Sequence, residues 1–510
     1  MKKATAAVAL IAAAALALAG CSSGGSAPEP STAGKAASAG ALNIGNFADV
    51  TNWDPSKADI GFDGPYLSAV YDPLVAVDGN GKPVPALATD WKVSSDGLKV
   101  TMNLRKGVSF SDGEPFNAQA AVTSLDYLKK GATSGEAYVN VSKFVAVNDD
   151  TLEIDMSKRD DTMLYFMAIG RSYMMAPKAI AAGTLSKTPV GSGPYTLASS
   201  SVSGSVYRFD KVKGYWDAKA FPFDPLTISP IQDATARDNA MLSGQINVNY
   251  ADETAIKQAK ENNWNIAGKP ATWVGLQFTD RAGSTFKPLG DKRVRQALNY
   301  AFDGAAILKS IGAGEGVASN QVFPAGTGAN LHSLDSMYKT NVGKAKKLMA
   351  QAGYADGFSL HMPMSQVFQL WQPVVDQVFG KIGIKVTWDD MQYIDYQKNA
   401  PTYPMFVAVL AMDANPVATV QRMIGQPQWY NPNPQIDKFP AVQTQVEKVL
   451  TADPKDQAGQ ITTLNTMITK EAWFDIWYQA DNTYISTKNI TVTPVTGMMF
   501  PSLRQITPAN

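Results

Sequence analysis

Nucleophiles and proton carriers are scarce in this 510-residue chain. Cys21 is its single cysteine, and His332 and His361 are its two histidines. A catalytic thiol needs a base held beside it by a rigid scaffold. Cys21 stands instead between an apolar run and the small polar stretch "SSGGSAPEPSTAGKAASAG". Neither histidine belongs to a His-Glu-x-x-His pair, so zinc chemistry of that kind has no ligands here. The body after residue 40 has no Gly-x-Ser-x-Gly elbow. The carboxylate pairs Asp149-Asp150, Asp160-Asp161 and Asp389-Asp390 are adjacent in sequence, and neighbours on a strand face opposite ways. They read as solvated turns. A secreted hydrolase therefore finds no catalytic set among these residues.

The elements that would position the remaining side chains begin after a distinctive chain start. Lys2 and Lys3 precede an apolar stretch, Ala4 to Leu18, that is too short to span a bilayer. A positive tip, a short apolar run and small residues read as a secretory signal. "LAGC", Leu18 to Cys21, resembles the lipobox of bacterial lipoproteins, which implies that Cys21 is acylated and becomes the first residue of the mature chain. With its thiol used as an anchor no disulfide can form, and stability rests on the core. Residues 1–20 are thus expected to be a signal peptide. Residues 21–40 are expected to be a flexible tether, too poor in apolar side chains to fold.

Lysine plus arginine equals aspartate plus glutamate, 45 each, so nothing in the charge suggests nucleic acid as a partner. No later run is long and apolar enough to cross a membrane. Strand and helix patterns alternate. "LKVTMNLR" (98–105) and "TLEIDM" (151–156) alternate polar and apolar residues and predict half-buried strands. "NAQAAVTSLDYLKKG" predicts a helix capped by Asn117, "DKRVRQALNYAF" one capped by Asp291, and "AKKLMAQAGY" one ending at Gly353. "IKVTW" (384–388) predicts another strand. The fold class is α/β with more than one lobe.

The segment "DGNGKPVPALATDWKVSSDGLKVTMNLRKGVSFSDGEPFNA" (78–118) resembles the signature region of dipeptide/oligopeptide-type solute-binding lipoproteins of ABC importers, family 5, cluster C. "WDPSKAD" (53–59), "GSGPYTL" (191–197), "KGYWD" (213–217), "SGQINV" (243–248), "DKRVRQALNYAFD" (291–303) and "KAKKLMAQAGYADGFSL" (344–360) follow in that family's order. The resemblance implies a two-lobed, periplasmic-binding-protein-like type II fold with an extra subdomain in the first lobe. By position, the first lobe takes 41–270 plus 480–510, the extra subdomain about 76–188, and the second lobe 271–479. Two hinge strands would let the lobes close over a ligand.

The resemblance further implies an aspartate in the second lobe that holds a peptide's α-ammonium. Asp413 in "VAVLAMDANP" (407–416) occupies that place, with Leu410 where a tryptophan is common and Pro416 one residue early. The alternative for Asp413 is a turn cap before Asn415-Pro416. Residues 391–412 contain one basic residue, Lys398, and Arg422 follows, so a zwitterionic peptide, a cation, a neutral solute and a sugar all stay open. Trp273, Tyr250, Tyr393, Trp477 and Tyr478 are candidates for aromatic cleft walls, and Asp59 for an acidic contact. The expected partners are a small ligand, a peptide first, and ABC permease subunits, with the lipid anchor on the membrane's outer face. A monomer without a cofactor is expected. Binders of a metal chelate, haem or an oligosaccharide are the alternatives.

Overall fold

The alternation in "LKVTMNLR" produces the strand Lys99–Leu104, and that in "TLEIDM" the strand Thr151–Met156. The two pair antiparallel in the order Ala88–Val93, Lys99–Leu104, Thr151–Met156, Val141–Asn148, forming a four-stranded sheet. The helix Ala118–Leu128 packs on it, capped as its sequence predicts: Asn117 Oδ1 accepts from Ala120 N at 2.9 Å. Asp291 likewise caps Lys292–Ala301, and Gly353 follows the helix Val342–Gln351 with φ of 88°, a left-handed position suited to glycine. The computed structural model describes residues 39–312 and 314–509. The expected signal peptide, Cys21 and nearly all of the expected tether lie outside the described residues.

A nine-stranded sheet runs through the body. Its order is Met405–Ala411, Asn265–Phe278, Asp475–Ser486, Val248–Tyr250, Leu42–Asn46, Leu226–Pro230, Tyr207–Lys211 and Tyr195–Leu197, with Gly316–Ala318 beside Asp475–Ser486. Two large apolar cores define two lobes. One gathers residues such as Leu42, Tyr66, Leu125, Tyr484 and Leu503, the other Trp273, Leu298, Phe379, Val407 and Trp477. The long strands Asn265–Phe278 and Asp475–Ser486 pair with each other and contribute to both lobes. Their register shifts between Pro270 and Thr272, where proline cannot donate to the ladder. In the second lobe a parallel pair, Phe358–Met364 with Ile384–Asp390, is joined through the helix Gln372–Lys381. Among the described residues no helix is long and apolar enough to cross a membrane.

Asp160 and Asp161 are more than solvated turn residues. Asp160 accepts from Thr162 N, Thr162 Oγ1 and Asn140 Nδ2 at 2.8, 2.6 and 2.7 Å. Asp161 takes a two-pronged contact from Arg159, Nε at 3.0 Å and Nη2 at 2.9 Å. This fixes the loop 158–162 at the edge of the first lobe.

Candidate functional site

The buried strand Met405–Ala411 leads into Asp413, which is 1% exposed. Turn capping after it is done by Asn415, whose Oδ1 accepts from Val417 N and Ala418 N at 2.8 and 3.1 Å. The carboxylate of Asp413 does something else. The helix Pro416–Thr419 continues as a π-helical turn, Val420–Gly425, which carries Arg422 back toward the strand end. Arg422 Nη1 donates to Asp413 Oδ1 at 3.0 Å and Oδ2 at 3.3 Å.

Three further groups come from the first lobe. Tyr165 Oη donates to Asp413 Oδ1 at 3.3 Å and accepts from Ala414 N at 3.1 Å. Glu136 Oε2 lies 3.9 Å from Arg422 Nε. Arg171 Nε donates to Glu136 Oε1 at 2.7 Å. Tyr165 and Arg171 sit on either side of a second α-to-π switch, Met163–Phe166 into Met167–Arg171, which bends at Gly170 with φ of 103°. π turns are frequent at functional sites, and here one faces the cluster from each lobe. The Phe166 ring lies between the two guanidiniums, 5.8 Å from Arg171 Cζ and 5.9 Å from Arg422 Cζ.

Burial pushes the Asp413 carboxyl up, and the Arg422 guanidinium pulls against that rise. Asp413 in turn raises Arg422 and keeps it protonated. Burial also pushes Glu136 up, but Arg171 and Arg422 together hold it below the usual carboxylate range. Two acids and two guanidiniums therefore form a cluster with no net charge, each ion with its partner inside the chain.

The other sequence candidates fall in two groups. Asp59 caps the helix Ile60–Val70, accepting from Gly61 N at 2.9 Å. Tyr393, on the second lobe, is 45% exposed and packs on Phe368 with ring centroids 6.2 Å apart. Burial raises the Tyr393 phenol, and the charge of Asp59 raises it further. Tyr250 is half-buried in an aromatic cluster with Phe47, Tyr484 and Phe500, at 5.1, 5.8 and 6.3 Å. Trp273, Trp477 and Tyr478 are at most 2% exposed, inside the second lobe. Trp477 stacks on Phe302 at 4.7 Å, and Trp273 packs on Phe474 at 5.5 Å.

Sequence reasoning missed Glu136, Tyr165 and Arg171. One signal was present: in "MLYFMAIGRSYMMA" (163–176) a lone arginine interrupts a run of large apolar residues, and such a charge needs a buried partner.

Residues 82–431 match the model described as bacterial extracellular solute-binding proteins, family 5 Middle. The chain belongs to this family. Its members are extracytoplasmic binding proteins, and the α/β, two-lobed fold expected from the sequence is the one the chain adopts. A glutathione-binding protein GsiB from Salmonella choleraesuis (strain SC-B67) is 29% identical over 352 residues, 66% of this chain and 67% of that protein. GsiB from Escherichia coli (strain K12) is 28% identical over 350 residues, with the same shares covered. In shape, the binding protein matches DppA from Helicobacter pylori in complex with the peptide STSA, with a TM-score of 0.75 and 20% identity, over 92% of this chain and 98% of that one. NikA from Brucella suis in complex with Fe(III)-EDTA gives a TM-score of 0.77 at 18% identity, over 92% and 100%.

Proposed function

We propose that this protein is a lipid-anchored, extracytoplasmic solute-binding protein that closes on a peptide or a related solute and delivers it to an ABC importer, without catalysis. The observation that carries the reading is family membership over residues 82–431 together with a shape match covering 92% of the chain. The curated relatives named for glutathione and the neighbour holding the peptide STSA support a peptide-like ligand. The neighbour holding Fe(III)-EDTA favours a chelate as the second reading.

The lobes are assigned as 41–270 plus 480–510 and 271–479, with the subdomain at about 76–188. The division of the apolar cores supports this, since Tyr484 packs in one and Tyr478 in the other. Asp59, Tyr393 and Tyr250 are proposed to meet the ligand where they reach the cleft, with Asp413 presenting its charge already paired to Arg422. His361 sits on the exposed face against Asp389 at 3.2 Å, and the side chain of His332 is fully exposed. Attachment through Cys21 rests on the "LAGC" stretch.

Thermal melts with peptides, glutathione, oligosaccharides and metal chelates test the reading. A ligand that binds the native state raises the melting temperature as its concentration rises. At least one peptide-like solute is expected to do so and to be recovered chemically unchanged. A ligand recovered cleaved would contradict the reading.

A further inference from the structure

The subdomain of the first lobe meets the second lobe along a strip formed by four of its residues, Asp161, Thr162, Tyr165 and Glu136. Gln457 Nε2 donates to Asp161 Oδ2 at 2.9 Å, and Gln421 Oε1 lies 3.1 Å from Thr162 Oγ1, whose proton goes to Asp160. Tyr165 links to Asp413 and to Ala414 N, and Glu136 faces Arg422. The first-lobe side of the strip is held from behind. Arg159 grips Asp161, Asp160 binds Thr162, and Arg171 holds Glu136. Tyr165 is 1% exposed, so its hydroxyl leaves water when the lobes meet and recovers its hydrogen bonds only from the opposite lobe.

The charges decide what this strip can do. Asp413 would be an unpaired buried anion if the second lobe offered nothing else, and closing over it would then require a cation from the solute. Arg422 supplies that cation from nine residues down the same chain. Its Nε is also turned toward Glu136 of the other lobe, so the charge that neutralises Asp413 draws the lobes together.

We infer that Asp413, Arg422, Glu136 and Arg171, with Tyr165, form a built-in clamp, and that Arg422 is a specificity-determining residue: the lobes close on a solute whether or not it carries a free ammonium. The specificity half of this rests on the solute-binding reading above. The clamp half does not need it.

Two measurements test the inference. The first uses no ligand. Small-angle X-ray scattering of the ligand-free full chain is compared for wild type, Tyr165→Phe and Glu136→Gln. Tyr165→Phe removes one hydroxyl and keeps the ring in its pocket, so it reports on the clamp even where a charge change disturbs folding. Both variants are expected to have a larger radius of gyration than wild type. An unchanged radius in both overturns the clamp.

The second measurement compares glutathione with N-acetylglutathione, and trialanine with N-acetyltrialanine, on wild type and Arg422→Gln. Wild type is expected to bind the two members of a pair within about threefold of one another. Arg422→Gln leaves two carboxylates against one guanidinium, and it is expected to favour the free amine by about tenfold or more, which is roughly one 1.4 kcal/mol step. A wild type that already favours the free amine tenfold, or a variant with no altered preference, overturns the assignment of Arg422. If neither pair binds wild type, the peptide reading fails, and the scattering comparison alone decides the inference.

Discussion

Arg422 Nη1 lies 3.0 Å from one oxygen of Asp413 and 3.3 Å from the other, so the aspartate that the family resemblance marks as a ligand anchor already has a cation of its own. The Asp413 side chain is 2% exposed and that of Arg422 20%, so water screens the pair little. The backbone explains why the two meet. Asn415 caps the helix start, and the π turn that follows brings Arg422 round to the strand end.

Arg422→Leu should destabilise the ligand-free protein by roughly 3–5 kcal/mol, because it strands the buried Asp413 carboxylate. Asp413→Asn with Arg422→Gln should cost clearly less than the two single changes added together. Urea unfolding of the four proteins checks this. Additive losses would mean that the pair is not coupled.

Much of the architecture was legible in the sequence. Strict alternation located the strands at 99–104 and 151–156, and Asn117 and Asp291 located two helix starts, because these signals act over a few residues. The site was less legible. Asp413 could be placed by its motif, but Tyr165, Glu136 and Arg171, which complete the cluster around it, are more than 240 positions away in the chain. Only the lobe arrangement brings them together. The aromatic candidates show the same limit. Trp273 and Tyr393 are equally plausible cleft walls by residue type, yet one is wholly interior and the other 45% exposed.

That contrast separates Tyr393 from Trp477. Tyr393→Ala should weaken ligand binding by about tenfold while leaving the melting temperature of the ligand-free protein nearly unchanged, because the ring is partly solvated. Trp477→Ala should cost about 3–5 kcal/mol of stability, through the lost stacking on Phe302 and the cavity left in the core. Calorimetry with and without ligand distinguishes the two. A large stability loss in Tyr393→Ala would place that residue in the fold rather than the site.

Asp475 makes stability depend on pH. It is fully buried, and neither carboxylate oxygen has a hydrogen-bond partner of good geometry among the described residues. Burial pushes its carboxyl from 3.8 to about 8, with the neighbouring Trp477 indole opposing weakly. The folded state therefore keeps a proton that the unfolded chain releases near pH 4. In that window the native state binds more protons, so this residue's contribution is full below pH 4 and is lost as pH rises toward 8. Asp475→Asn should match wild type at pH 4 and exceed its stability by several kcal/mol at pH 8, at about 1.4 kcal/mol per pH unit. Urea midpoints across that range check the sign. A gap that stays constant with pH would refute it.

Cys21→Ser should move the protein from the detergent phase to the aqueous phase, or leave the leader uncleaved, because the acyl chains would have no attachment point. Phase partition with N-terminal mass analysis checks this. A wild type found in the aqueous phase with a different first residue would contradict the anchor.

The lobes are expected to close on a peptide-like solute and to release it intact. Native mass spectrometry of the full chain after incubation with a mixed peptide pool containing glutathione tests it most directly. One bound peptide-like molecule per chain is expected, which denaturation frees with its mass unchanged. A chain that retains no member of the pool, or that frees a molecule of altered mass, would contradict it.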